Sequence, residues 1–88
     1  MEGINMRETI RRSVSTDEIS AVVYEILDQE YFILRDLVNK LELAYHDKEV
    51  NTELVRAYLS QMEQFGLVEE SRSGVGLDKK YWCHKPTL

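Results

Sequence analysis

The stretch Leu54-Val55-Arg56-Ala57-Tyr58-Leu59-Ser60-Gln61-Met62-Glu63-Gln64-Phe65-Gly66-Leu67-Val68-Glu69-Glu70-Ser71, continued after a basic loop by Lys80-Tyr81-Trp82-Cys83, decides how this chain folds. Val55, Tyr58, Leu59, Met62 and Phe65 recur at spacings of three and four, so they share one face of a helix, while Arg56, Ser60, Gln61 and Gln64 point elsewhere. Asn51 is a good N-cap, and Val50 before it can pack on Val55 as a hydrophobic staple. Gly66 suits the position just past a helix end, because a residue without Cβ accepts the left-handed backbone. A helix is therefore expected over 51–65. Beyond it, residues 67–71 and 80–83 are expected to pair as strands around Arg72 to Lys79. That loop is too long for a tight turn, so its tip should be mobile, with Gly74 and Gly76 as flexible links.

Upstream, Ser15-Thr16-Asp17-Glu18 is a helix start, with Ser15 or Thr16 as cap and acidic residues where the helix dipole favours them. Ile19, Val22, Val23, Ile26 and Leu27 follow at helical spacing, which predicts a helix from about Thr16 to Gln29. Tyr31-Phe32-Ile33 is β-prone but brief, and it leads into Leu34, Leu37, Val38 and Leu41, a second helical pattern. Residues 43–50 read as an exposed connection. Near the start, Asn5-Met6-Arg7-Glu8 has the form of a capping box, and Met6, Ile10 and Val14 make a thin apolar stripe on a short helix that needs a partner, either the core or a second chain. The expected organisation is an N-terminal extension over 1–14, one domain over 15–85, and a tail over 86–88 in which Pro86 ends the last strand.

Eighty-eight residues with 43% hydrophobic content support one modest core, small enough that dimerisation would help stability. The single cysteine, Cys83, has no internal disulfide partner. With no apolar leader or long apolar run, the expectation is a soluble, cytoplasmic protein that does not enter membranes. Net charge is −5, which opposes nucleic-acid binding if spread evenly. The distribution is uneven: residues 1–14 carry +1, 15–50 carry −6, 51–70 carry −3 and 71–88 carry +3. Positive charge gathers in Arg7, Arg11 and Arg12 and in Arg72, Lys79, Lys80 and Lys85.

Helix, short strand, helix, helix, hairpin is the order of winged helix-turn-helix domains, and residues 16–83 resemble that superfamily. Phe32 to Leu41 is similar to the second-helix segment of bacterial and archaeal regulators. Asn51 to Leu59, followed by Met62 to Glu69 with its Gly66-Leu67-Val68 exit, is similar to their recognition helix. The resemblance implies an α+β, mainly α fold: a winged helix made of a three-helix bundle plus a C-terminal β-hairpin wing, with 31–33 able to add a short strand. It also implies double-stranded DNA as partner, Thr52, Arg56, Ser60 and Gln61 (with Glu53 and Ala57) facing the major groove, and Arg72, Ser73, Lys79 and Lys80 on the wing against the backbone or minor groove.

Ordinary roles stand beside these. Arg56 can serve as an ion-pair partner of Glu53, and Lys79 and Lys80 can keep an edge strand from aggregating. Tyr81 and Trp82 alternate, so one faces the core and the other the surface, where it covers the core or closes a dimer. Glu49, Glu53 and Glu63 sit unfavourably for phosphate, so tight binding by a lone monomer is not expected. Cys83 and His84 are adjacent and His46 is remote, which forms neither a metal set nor a nucleophile–base pair; no enzyme activity, metal or cofactor is expected. Two classes remain: a dimeric DNA-binding transcriptional regulator, and an acidic winged-helix module that binds protein in a larger assembly.

Overall fold

The computed structural model describes residues 12–84. They form an α+β fold of three helices and a small antiparallel sheet: α1 (Thr16–Ile26), β1 (Tyr31–Ile33), α2 (Leu34–Ala44), α3 (Thr52–Gln64), β2 (Val68–Glu70), a 3-10 turn (Gly76–Asp78) and β3 (Lys80–Cys83). None of the helices among the described residues is long and apolar enough to cross a membrane. Of the short helix expected within 1–14, residues 1–11 with Met6, Arg7, Ile10 and Arg11 lie outside the described residues, as do Lys85 and the tail with Pro86.

Ser15 is the cap of α1. Its Oγ accepts from Glu18 N–H (3.2 Å) and Glu18 Oε1 accepts from Ser15 N–H (2.9 Å), the reciprocal pair of a capping box. The helix stops at Ile26, before the expected Gln29. Asp28 to Glu30 offer no apolar residue to continue its stripe, and Glu30 C=O is taken by Cys83 N–H (2.9 Å). In α3, Asn51 Oδ1 accepts from Glu53 and Leu54 N–H, as its sequence position demands. The far end closes in a Schellman turn: Leu67 N–H reaches Met62 C=O (2.9 Å), Gly66 N–H reaches Glu63 C=O (3.0 Å), and Gly66 has φ of 79°.

Phe65 corrects the sequence reading. It is 77% exposed, whereas Val55, Leu59 and Met62 from the same stripe are buried. Phe65 is the cap residue where the chain leaves the helix, and beyond the turn Val68 enters the core and Leu67 packs against it. Val14 is the opposite case. It is fully buried, on an extended segment whose N–H donates to Glu49 C=O (2.8 Å) while Glu49 N–H donates to Arg12 C=O (2.9 Å). Residues 12–14 therefore belong to the folded body, and Val14 is not available to a partner.

The sheet order is β1-β3-β2, both pairings antiparallel, with Phe32 opposite Tyr81 and Val68 opposite Cys83. β1 thus adds the third strand, and β3 becomes the centre. Lys80 lies in this central strand and Lys79 just before it, so neither guards an edge strand, contrary to the role suggested for them. Phe32, Val68 and Tyr81 face the helices and join Ile19, Val23, Leu34, Leu37, Leu41, Val55 and Leu59 in one core. Tyr81 stacks on Phe32 with ring centroids 5.4 Å apart, while Trp82 lies on the outer face.

Candidate nucleic-acid interface

With Val55, Leu59 and Met62 turned inward, α3 presents Glu53, Ala57, Ser60 and Gln64 at the centre of its exposed side. At about 100° per residue, Arg56 and Gln61 fall roughly 140° apart, on opposite flanks of that side. Thr52 is the first helical residue and half-buried; Arg56, Ser60 and Gln61 are exposed. The helix therefore places the four expected residues on its outer half without gathering them into one stripe.

Arg56 sits on the flank nearest the sheet. There Tyr81 Oη donates to Glu70 Oε1 (3.3 Å), and the hydroxyl's pKa is pushed up to about 12, first by burial and then by the Glu70 charge, with Arg56 opposing and Glu63 adding to the rise. Glu63 Oε2 also accepts from Glu70 N–H (3.4 Å). One guanidinium thus shares its neighbourhood with two carboxylates, which sequence spacing could not reveal because Glu70 lies on a strand.

The loop after β2 is built, not loose. Ser73 N–H donates to Ser71 Oγ (3.0 Å), Lys79 Nζ donates to Ser71 C=O (3.2 Å), and Asp78 and Lys79 N–H close the 3-10 turn on Val75 and Gly76 C=O. Leu77 packs against the core, and Arg35 Nε donates to Asp78 Oδ1 at 3.2 Å. Gly74 is structural: φ is +80°, and a Cβ there would collide with the Asp78 backbone, whose carbonyl carbon would be 2.7 Å away. Gly74 thus has a steric role beyond that of a flexible link.

Arg72 and Ser73 remain exposed on the loop. Lys80 is elsewhere. It alternates with Tyr81, so it projects from the outer sheet face, where its ammonium lies 4.3 Å from the Tyr31 ring centroid and 4.7 Å from that of Trp82. The structure consequently separates Lys80 from Arg56 and draws in Tyr31 and Arg35, neither of which sequence reasoning had placed beside the candidate residues. The β-prone composition of Tyr31-Phe32-Ile33 was the one signal for Tyr31; nothing local signalled Arg35, whose partner lies 43 residues away.

Other chemistry is thin among the described residues. No group of three His, Cys, Asp or Glu side chains is placed to hold a metal. The Cys83 thiol is pushed up by burial and then by Asp28, which disfavours the reactive thiolate. His84 Nε2 lies 3.0 Å from Glu69 Oε1 at the surface. Two shallow hollows of about 360 and 340 Å³ lie against α1, α2 and the loop after α2, and no residue of α3 or of 71–79 lines either. Comparison with protein families, curated proteins and solved structures finds no match to this chain.

Proposed function

We propose that this chain is a small winged-helix DNA-binding domain acting as a transcriptional regulator, with α3 in the major groove and the 71–80 segment against the backbone or minor groove. The observation that carries the reading is the exposed polar side of α3 standing beside a hairpin loop that presents Arg72, in an element order and a β1-β3-β2 sheet that resemble that superfamily. In this role Arg56 reaches a base edge or phosphate from the sheet-side flank, Ser60 and Gln61 make hydrogen bonds, and Arg72 meets phosphate. Lys79 and Lys80 are lesser contributors. One is held by Ser71 C=O and the other lies between two rings on the far face.

Fluorescence anisotropy with a random-sequence duplex at about 50 and 150 mM salt tests the proposal. Binding that weakens with salt is expected, Arg72→Ala should lower the salt slope by about 1, and Lys80→Ala should leave it unchanged. No binding at either salt concentration removes the proposal.

A second reading, a protein-binding module, is favoured by one observation: Arg56 is accompanied by Glu63 and Glu70, so the strip between α3 and β2 is acidic on balance. A duplex that fails to bind at low salt, together with a partner retained after nuclease treatment, would select this reading.

A further inference from the structure

The two outer strands of the sheet differ. Cys83 N–H bonds to Glu30 C=O and Leu34 N–H to Lys79 C=O, both at 2.9 Å, so in β1 it is Phe32 whose backbone faces β3. Antiparallel alternation then turns both backbone groups of Tyr31 and the N–H of Ile33 away from the sheet, while the Ile33 C=O, at the N-cap of α2, takes the first bond of that helix. On the other side, the outward N–H of Glu70 donates to Glu63 Oε2 (3.4 Å), so the end of α3 serves the β2 edge. β1 has no such cover from a side chain among the described residues. It also carries no charge, proline or bulge; Tyr-Phe-Ile is aromatic and β-branched throughout, and shortness is its one protection against pairing.

We propose that β1 pairs with β1 of a second copy of this chain, antiparallel about a two-fold axis through Phe32, which joins two three-stranded sheets into one of six. The strand is its own complement in that register. Each Ile33 N–H donates to the Tyr31 carbonyl across the axis, and each Tyr31 side chain stands opposite an Ile33, an aromatic and β-branched pair that antiparallel sheets favour. The next pair outward sets Glu30 against Leu34, so no like charges meet. A copy carrying −5 is repelled from most of this acidic surface, and residues 31–34 are an uncharged seam in it. Tyr31 and Trp82, 42% and 37% exposed with ring centroids 5.7 Å apart, lie on the outer face beside the seam, and pairing extends them into a band shared by both copies.

The seam is short, well under the roughly 1,200 Å² of a standard interface, so the dimer is of micromolar or weaker affinity. Sedimentation equilibrium of the full chain from about 10 µM to 1 mM reads it directly. The mass should rise from monomer to dimer. Tyr31→Lys places like charges near the axis and should hold the chain monomeric; it also removes the Trp82 edge contact and sets a second ammonium beside Lys80, so the melting temperature should fall while the circular dichroism spectrum of the folded chain is retained. In a mixed sample of differently labelled wild-type chains, an intermolecular NOE from the Tyr31 ring to the Ile33 methyl groups should appear. A monomer throughout the series, a dimer undiminished by Tyr31→Lys, or a dimer without that NOE overturns the proposal. None of these outcomes depends on whether duplex DNA is bound.

Discussion

Lys48 Nζ lies 2.6 Å from Glu18 Oε2, tying the loop after α2 to the first turn of α1. The same carboxylate caps Ser15 N–H through its other oxygen, so one side chain joins a local motif to a contact 30 residues away. The segment held there also carries Glu49, which pairs with the backbone around Val14.

The Glu18 carboxyl is held below its ordinary value near 4.5, first by the hydrogen bond from Lys48 and then by that from Ser15. A depressed carboxylate stabilises the fold above its unfolded pKa, and this stabilisation is lost as pH falls through the lower folded value. Lys48→Met should therefore lower the melting temperature at pH 7, and the gap from wild type should narrow as pH drops from about 4.5 toward 3. Thermal melts followed by circular dichroism at the two pH values check it; a gap that widens in acid contradicts the assignment.

Val14 and Phe65 exchange the importance that periodicity assigns them. Val14→Ala should cost about 2 kcal/mol, because a fully buried side chain loses both transfer energy and packing. Phe65→Ser should change stability by no more than about 0.5 kcal/mol, because its ring is exposed and the bonds it makes at the helix end are from its backbone, which the substitution keeps. Urea denaturation of the two variants measures both, and equal effects would refute the exchange.

Gly66 and Gly74 have nearly the same positive φ, 79° and 80°, but different surroundings. Gly66→Ala meets nothing within 4 Å, so its cost is the conformational strain alone, about 1–2 kcal/mol. Gly74→Ala adds a clash with the Asp78 backbone and should rebuild the 71–79 loop. Backbone NMR shifts should move at Asp78 and Arg35 in the second variant and stay near Gly66 in the first.

Tyr81 offers an optical test of where Arg56 lies. Its hydroxyl is raised to about 12, so on alkaline titration it should ionise after an ordinary tyrosine near 10. The sign runs opposite to Glu18: this contribution to stability is whole below the unfolded value and disappears as pH rises toward 12. Glu70→Gln should lower the Tyr81 value, and Arg56→Ala should raise it further. Absorbance at the tyrosinate band follows each variant; no response to Arg56→Ala would mean the guanidinium is not beside the hydroxyl.

The locally encoded features were legible from residues alone. Asn51 capped α3, Gly66 ended it, a cap at Ser15 or Thr16 opened α1, and Tyr81 and Trp82 took opposite faces, since caps, left-handed glycines and strand alternation depend on neighbours a few positions away; the structure chose Ser15 as the cap and Tyr81 as the inward ring. The outward residues of α3 were legible for the same reason. Their grouping was not: Arg56 acquires Glu70 and Glu63 only when β2 returns beside α3, and Lys80 leaves the group because the register of β3 puts it on the outer face.

By itself, the sequence determined the three helices, the hairpin and most of the core, because helical and strand periodicities select which side chains leave water wherever the elements come to rest. The tertiary structure alone decided that β3 is central, that β1 is an outer strand, that Val14 is core and that Arg35 meets Asp78. Each of those depends on which distant segments pack together, a global choice of lowest free energy that no short window of residues contains.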